Sequence, residues 1–267
     1  MTQDQIAMPA VVEDMIDITI DAHVATVLLS RPPVNACNAE LFLALRRTFD
    51  RVGVDRDVRA VVFGSSIDGI FCGGVDVKSG WRLPDAPRPI DPGELIRDAF
   101  EAVEDCAVPV VAAIDGPALG AGVALAASCD IIVASERAVF GCPEIDLGLL
   151  GGASHLGRLI GRHRMRELYF TARRVPAGEF AVMGGVTRLV ATGAALTEAR
   201  MIADEIARKS PVAIRLGKEA LNRVENLPVR DGYRTEQDYT TRLLAFDDSK
   251  EALRAWRERR DPTFTGQ

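Results

Sequence analysis

Residues 114–152 read IDGPALGAGVALAASCDIIVASERAVFGCPEIDLGLLGG. An apolar run from Val108 ends at Asp115-Gly116-Pro117, and a small-residue helix pattern starts at Gly120, which predicts strand, turn and helix start. The first N–H groups of a helix lack intrahelical acceptors, so a glycine-rich start can donate to an anion or a developing oxyanion. Small residues also let a substrate carbonyl approach closely. The alternative is that these glycines and alanines only permit tight helix packing.

A second stretch, residues 69–78, reads GIFCGGVDVK and follows the strand-like run 58–63. It predicts strand, glycine turn and a possible helix start once more. Two separated backbone donors, each presented by a turn after a buried strand, are what an oxyanion hole requires. One of the turns could instead be a packing feature.

The combination of FCGGVD with ALGAGVALAASCDIIVAS and Glu144 resembles the crotonase superfamily, also called the enoyl-CoA hydratase/isomerase family. The resemblance extends from VATVLLSRP at Val24 to the C-terminal Pro262-Thr-Phe. It implies an α/β fold, with a spiral of ββα units over residues 1–195 and a helical trimerisation region over residues 196–267. A homotrimer or a dimer of trimers is the expected assembly.

The resemblance also implies roles for individual residues. The first oxyanion donor falls on the N–H of Val75 and the second on the N–H of Ala121. Valine and alanine keep these donors, because the backbone supplies them, but their side chains narrow the acyl channel. Glu144, within FGCPEIDLG, matches the family's catalytic glutamate, which moves a proton once the thioester oxyanion is stabilised. A solvated loop acid is the alternative reading of Glu144.

The implied substrate is an acyl-CoA thioester, so coenzyme A is part of the substrate and no separate cofactor or metal is expected. Besides the catalytic positions, the resemblance assigns substrate contacts to the two turns and to nearby basic groups, namely Arg31, Gly74, Asp76, Val77, Lys78 and Gly120. Arg31 and Lys78 would meet the CoA phosphates. By the same resemblance, residues 246–251 and Lys250 are expected near bound CoA, although Ala252 replaces the family's usual glycine.

Ala124 departs from the family pattern. In two-carboxylate hydratases a first glutamate stands here, three residues after the second donor, and both carboxylates hold the water. A single glutamate suffices for a 1,3-proton shift, which favours enoyl-CoA isomerisation. A hydratase of the β-oxidation type and a non-catalytic acyl-CoA binding protein remain open.

Two other titratable groups lie near Glu144 in sequence. Asp146 is expected to be a structural ion-pair member. His155 stands where many members of the family carry glycine, and it could activate water for thioester hydrolysis or retro-Claisen cleavage, although a structural role is the commoner one for a lone histidine.

Composition narrows the class of protein. The chain has 267 residues, 48% hydrophobic and 26% charged, with a net charge of −6 that argues against general nucleic-acid binding. Its five cysteines form no CxxC pair, which favours a reducing cytoplasm over a disulfide framework or zinc site. No apolar segment reaches about 20 residues, and no signal peptide is indicated, so a soluble protein is expected.

Two other enzyme classes fit poorly. A nicotinamide-dependent oxidoreductase needs G-x-G-x-x-G after a strand, but Gly116, Gly120 and Gly122 have the wrong order. A serine hydrolase needs G-x-S-x-G, and the GASHL sequence starting at Gly152 lacks the final glycine.

Local patterns predict the remaining elements. Residues 1–14 are expected to be a loose leader, and a proline-rich loop through Pro84, Pro87, Pro89 and Pro92 is expected to have no regular structure and to be able to close over a ligand. Asn38 and Asp91 are predicted helix N-caps. The predicted elements are a hairpin of strands 16–20 and 24–29, strands 58–63 and 108–114, and helices 39–52, 91–106, 200–209, 211–224, 231–244 and 249–260.

Overall fold

The computed structural model describes residues 15–79 and 91–267. The expected leader and most of the proline-rich loop, including Pro84, Pro87 and Pro89, lie outside the described residues. The strands are β1 (Ile16–Asp21), β2 (Val24–Leu29), β3 (Ala60–Ser65), β4 (Val110–Ile114), β5 (Pro117–Leu119), β6 (Ile131–Ser135), β7 (Val139–Gly141), β8 (Val175–Pro176) and β9 (Arg188–Val190). The helices are α1 (Ala39–Val54), α2 (Pro92–Glu104), α3 (Ala121–Ala127), α4 (Ala153–Leu159), α5 (Arg162–Thr171), α6 (Ala177–Val182), α7 (Ala195–Ala207), α8 (Pro211–Val224), α9 (Val229–Leu243) and α10 (Asp247–Glu258).

The larger sheet has the strand order β1-β2-β3-β4-β6-β9. Only β1 and β2 pair antiparallel, and the other neighbours are parallel, as expected for strands joined by helical crossovers. The predicted hairpin is confirmed. Ala22 and His23 turn it with φ values of 45° and 67°, the left-handed conformation of a two-residue hairpin loop.

We call residues 69–78 the first glycine turn and residues 115–120 the second. A smaller sheet, β5-β7-β8, extends from the second glycine turn. Its strand β5 pairs in parallel with β7, and the N–H of Gly120 donates to the carbonyl of Gly141 at 2.8 Å. This sheet therefore leads the chain from the second glycine turn to the segment that carries Glu144.

Side-chain caps fix the starts of three helices. Asn38 Oδ1 accepts the N–H of Leu41 at 3.0 Å, and Asp91 Oδ1 accepts the N–H of Gly93 at 2.8 Å. Ser210 caps α8 in the same way. Both N-caps predicted from the sequence are confirmed, because capping depends only on residues within one helical turn.

The core lies on both faces of the larger sheet. On one face the sheet packs against α1, α2 and α3, and Phe63 meets Phe49 and Phe71 edge to face at ring-centre distances of 5.2 and 5.6 Å. On the other face, Val62 and Val111 pack against α7. The first C-terminal helix therefore covers the sheet.

Two predicted strands begin later than expected. β3 starts at Ala60 rather than Val58, and β4 starts at Val110 rather than Val108. The carbonyl of Val58 accepts Arg215 Nη2 at 3.1 Å, and that of Val108 accepts Lys218 Nζ at 3.2 Å. The side chains of both valines are buried in the core with residues of α1 and α2, which explains their apolar character without strand pairing.

The expected helix start within residues 69–78 is wrong. Val75 forms a bridge with Cys37, whose N–H donates to Gly74 O at 2.7 Å and whose carbonyl accepts the N–H of Asp76 at 2.9 Å. Asp76 Oδ1 then accepts the N–H of Lys78 at 3.0 Å and closes a bend. Pairing with Cys37 keeps this segment extended.

All four predicted C-terminal helices are confirmed as α7 to α10, within a few residues. Acids at the start of α10 hold the chain that follows it. Asp248 accepts the N–H groups of Thr265 and Gly266 at 2.8 and 3.1 Å, and Glu251 pairs with Arg254 and Arg260. In the two described segments, no helix is long and apolar enough to cross a membrane.

Candidate active site

The two glycine turns lie side by side at the carboxyl ends of β3 and β4. The N–H of Cys72 donates to Pro117 O at 2.9 Å, and the N–H of Leu119 donates to Cys72 O at 2.9 Å. A Cβ on Gly116 would lie 2.1 Å from Gly69 O, and one on Gly122 would lie 2.6 Å from Cys72 O. Glycine is required at both points because the two backbones touch.

Gly74 and Gly120 face each other across this junction. Both have left-handed backbones, with φ of 99° and 52°. A Cβ on Gly120 would lie 3.7 Å from the Cα of Gly74, and a Cβ on Gly74 would lie 3.9 Å from the backbone N of Ala121. The structure therefore brings together the two turns that carry the predicted donors.

The predicted donor groups themselves are unpaired. In the described part of the chain, neither the N–H of Val75 nor that of Ala121 has a hydrogen-bond acceptor. Ala121 is the first residue of α3, where the helix leaves its N–H unpaired, and the bridge to Cys37 uses the groups on either side of Val75. Both N–H groups are thus available to an external acceptor.

Glu144 reaches the same junction from the smaller sheet. After β7, Pro143 opens a 3₁₀ helix, Pro143–Leu147, and the carbonyl of Glu144 accepts the N–H of Leu149 at 3.0 Å. A Cβ on Gly120 would lie 2.4 Å from Glu144 Oε1, so the carboxylate rests directly on the second glycine turn. Gly152, at the start of α4, borders it from the other side, with its Cβ position 4.0 Å from Oε1.

The Glu144 carboxyl group is poorly solvated. Its Oε2 is buried and has no hydrogen-bond partner among the residues that the structure describes. Burial raises the pKa of Glu144 above its ordinary value, because removal from water disfavours the charged form. The nearby Cys142 thiol is affected too: burial and the charge of Glu144 raise its pKa to about 12. A carboxyl group held in this way is suited to exchanging a proton with a substrate.

Ala124 is buried one turn into α3. Its carbonyl accepts both the hydroxyl and the N–H of Ser128 at 3.0 Å. The side chain at the position that the family resemblance assigns to the first glutamate of two-carboxylate hydratases is thus a methyl group.

Of the predicted CoA-contacting residues other than glycine, one pair is bonded to each other and one pair is exposed. Arg31 donates to Asp76 at 2.9 Å and to the carbonyl of Ala36 at 2.7 Å, so its guanidinium group is bound to a carboxylate and a backbone carbonyl. Burial pushes the pKa of Asp76 up, but hydrogen bonds from the N–H of Lys78 and from Arg31 outweigh it and lower the pKa. Val77 and Lys78 are exposed, and Lys78 forms no ion pair with any described residue.

His155 makes its contacts with α2. Its ring packs edge to face on Phe100 at 5.0 Å, and burial together with Arg158 lowers the pKa of His155, while Glu104 opposes them. Among the described residues, no hydrogen bond or ion pair joins His155 to Glu144. Asp146 is exposed, and the ion pair expected for it is not formed with any described side chain.

Asn35 is a supporting residue that the sequence analysis missed. It is fully buried with φ of 50°, and its side-chain amide donates to Ser65 Oγ and to Phe71 O at 2.8 Å. Its Oδ1 accepts the N–H of Arg31 at 2.8 Å. Asparagine between a strand and a helix is a signal for a left-handed position, and that signal could have identified it.

The site combines unpaired backbone donors with a poorly solvated carboxyl group, at the carboxyl ends of parallel strands. This combination is typical of an α/β enzyme that moves protons next to a carbonyl group. Across the described residues, no group of three or more His, Cys, Asp or Glu side chains could hold a metal ion.

Comparison with known proteins identifies the family. A family model described as enoyl-CoA hydratase/isomerase matches residues 19–267. The chain is 34% identical over 258 residues to the human enoyl-CoA hydratase domain-containing protein 2, mitochondrial, which covers 92% of this chain and 87% of that protein. It is 40% identical over 220 residues to the (7aS)-7a-methyl-1,5-dioxo-2,3,5,6,7,7a-hexahydro-1H-indene-carboxyl-CoA hydrolase of Rhodococcus jostii, covering 82% of this chain and 85% of that protein.

The fold agrees with this relationship. The crystal structure of an enoyl-CoA hydratase from Bacillus anthracis matches with a TM-score of 0.86 at 30% identity, covering 95% of this chain and 100% of that one. This protein belongs to the enoyl-CoA hydratase/isomerase family and has the crotonase fold.

Proposed function

We propose that the protein binds an acyl-CoA thioester with its carbonyl oxygen between the N–H groups of Val75 and Ala121. Both N–H groups lack an acceptor among the described residues, and they belong to turns that touch through Gly74 and Gly120. Two such donors stabilise the negative charge that develops on the thioester oxygen when a neighbouring proton is removed.

Glu144 is the proposed proton carrier. Its carboxylate rests on Gly120, next to Ala121, and its pKa is raised by burial. A carboxylate whose pKa is raised is a stronger base than a solvated one, and the same group can return to another carbon the proton that it accepts. This contact between Glu144 and the second glycine turn is the observation that carries the proposal.

The reaction that fits a single carboxyl group is isomerisation of an enoyl-CoA. Glu144 removes a proton from C2 of a 3-enoyl-CoA and delivers it to C4, which moves the double bond without a bound water. Hydration is disfavoured because the position that would hold the second carboxylate is Ala124.

A panel of 3-enoyl-, 2-enoyl- and 3-hydroxyacyl-CoA substrates, with products identified by mass spectrometry, tests this assignment. Interconversion of 3-enoyl- and 2-enoyl-CoA should be faster than hydration, and Glu144→Gln should abolish it. Full activity in Glu144→Gln would refute the role of the carboxylate. Thioester binding without turnover in the wild type would identify a non-catalytic acyl-CoA binding protein.

A second candidate is hydrolysis of a CoA thioester or of a carbon–carbon bond beside it. It is favoured by the similarity to the Rhodococcus jostii protein, whose name describes a carboxyl-CoA hydrolase. His155 is its candidate water-activating group, although the described contacts of that ring are with Phe100. A cyclic 3-oxoacyl-CoA added to the panel tests it: hydrolysis lost in His155→Ala but retained in Glu144→Gln would favour this candidate.

We further propose that Arg31 and Lys78 meet the CoA phosphates and that the protein assembles as a trimer or a dimer of trimers. Exposed apolar residues on the C-terminal helices, such as Val229, Tyr233 and Trp256, support a subunit interface. A monomer in light scattering would refute the assembly. We also propose a cytoplasmic location, which differs from the mitochondrial location in the name of the human relative.

A further inference from the structure

Two buried cysteines form a thiol pair at the first glycine turn, Cys72 within the turn and Cys37 beside it. The sulfurs of Cys37 and Cys72 lie 3.5 Å apart, and both residues are fully buried. A disulfide brings sulfurs to about 2.05 Å, so this pair is about 1.5 Å from bonding distance. No other pair of cysteine sulfurs is in hydrogen-bond contact within the described residues.

The two thiols are chemically unequal. A hydrogen bond from Cys37 and one from the N–H of Gly74 lower the pKa of Cys72 against the opposing effect of burial. The same bond to Cys72, together with burial, raises the pKa of Cys37. Because the thiolate is the nucleophile, the sulfur that loses its proton reacts first with an oxidant, and the other sulfur, 3.5 Å away, is placed to resolve the product.

Each cysteine is hydrogen-bonded to a different turn. The backbone of Cys37 binds Gly74 and Asp76 on either side of Val75. The carbonyl of Cys72 accepts the N–H of Leu119, just before Gly120. The sulfur contact therefore links the chain segments that align one turn against the other.

We propose that Cys37 and Cys72 are an oxidation site, which a peroxide converts to a disulfide that misaligns the two glycine turns. The thiolate of one cysteine attacks one peroxide oxygen, giving a sulfenic acid and releasing water once a proton is taken up. The sulfur of the other cysteine then attacks the sulfenic sulfur, an S–S bond forms, and a second water leaves. Two thiols are oxidised and one hydrogen peroxide is reduced to two waters.

The expected effect on catalysis follows from the closure distance and rests on the proposed function. Both side chains are packed in the core, which restricts their rotation, so shortening the sulfur–sulfur distance by about 1.5 Å should shift the backbone of Cys37 or Cys72, and with it a donor turn. Displacements of about 1 Å in a catalytic site cost about 100-fold in rate, so a loss of at least tenfold in kcat is expected. Both sulfurs are buried, so oxidation requires local opening and should be slower than at an exposed thiol.

The experiment treats the reduced full-length protein with graded hydrogen peroxide, removes the peroxide with catalase, and blocks free thiols under denaturing conditions. Trypsin should release residues 1–46 and 60–78 as one cross-linked species, since each peptide contains a single cysteine. Activity should fall in proportion to the cross-link and return with dithiothreitol. Hydrogen exchange of residues 60–78 should change on cross-linking whether or not a substrate has been found, which separates failure of this proposal from failure of the proposed function.

Matched variants isolate the pair. Cys37→Ser and Cys72→Ser should lose the cross-link and the dithiothreitol-reversible inactivation, each measured against its own untreated sample, and Cys37→Ala serves if a serine variant does not fold. Cys129→Ser, which removes a thiol outside the pair, should behave as wild type. Absence of the cross-link at a peroxide concentration that oxidises Cys129 overturns the proposal. Quantitative cross-linking with unchanged exchange of residues 60–78 or unchanged kcat overturns the misalignment.

Discussion

Gly120→Ala should separate the chemical role of the second glycine turn from its contribution to stability. The added Cβ would lie 2.4 Å from Glu144 Oε1, whereas ordinary contact begins near 3.4 Å, so the carboxylate must move by about 1 Å. A displacement of that size at the reacting group predicts a fall in kcat of about 100-fold.

The stability cost of the same change comes mainly from the backbone. Gly120 has φ of 52° and ψ of −113°, a conformation that a side chain disfavours by about 1–3 kcal/mol. The clash itself is with the end of a flexible side chain, so it adds little to this cost. Gly193→Ala is the matched control, because Gly193 has φ of 82° and its Cβ would meet nothing within 4 Å.

The assay combines urea unfolding with steady-state kinetics on the best substrate of the panel. Both variants should be destabilised to a similar extent, and only Gly120→Ala should lose kcat. If Gly120→Ala is folded and keeps kcat within about threefold of wild type, the contact between Glu144 and the turn has no part in the reaction, and the proposed mechanism fails.

Four further predictions address charge. Because burial raises the pKa of Glu144, kcat/KM should decline on acidification around a pKa above the ordinary value of about 4.3, and Glu144→Gln should lack that limb. A carboxyl group whose pKa is raised in the folded state reduces stability as the pH rises above its pKa in the unfolded chain. Glu144→Gln should therefore have a higher melting temperature than wild type at pH 7 but not below about pH 4. An equal difference in melting temperature at both pH values would contradict this. Ala124→Glu should raise hydration of 2-enoyl-CoA relative to isomerisation, by up to about 10²–10⁴-fold if the new carboxylate orients water, and a proportional change in both rates would count against it. In urea unfolding, Asp130→Ala should lower the free energy of unfolding by about 3–5 kcal/mol, because it leaves Lys218, whose side chain is only 4% exposed, without its carboxylate partner. Lys218→Met should lower it less, since the Asp130 side chain is 28% exposed and can be hydrated. The reverse order would refute this account.

Local chemistry explains what could be predicted from the sequence. Asn38 and Asp91 announce their helices because a cap acts within one turn, and the apolar run before Gly120 leads into a strand and helix as expected. The junction at Glu144 was expected only from the family resemblance. Its physical basis, the approach of Gly120 to the carboxylate, depends on pairing between β5 and β7 that no local pattern encodes.

Long-range contacts explain what could not be predicted. Val58 and Val108 look like strand residues, yet Arg215 and Lys218 take their carbonyls from more than 100 positions away in the chain. Residues 69–78 were expected to include a helix start, yet Cys37 holds Val75 in an extended bridge. The thiol contact between Cys37 and Cys72 joins two segments whose proximity exists only in the folded chain.

The anchoring of α8 has a consequence for how this protein could be re-engineered. Arg215 and Lys218 hold the amino ends of β3 and β4, whereas the glycine turns lie at their carboxyl ends. Each of these two central strands is therefore held at its amino end by a cationic side chain of α8, at the end opposite the glycine turns. The side chains of Ala121 and Ala124 can be exchanged to alter substrate choice while α8 continues to hold the amino ends of the strands, so libraries aimed at new acyl groups should leave Arg215, Lys218 and Asp130 untouched.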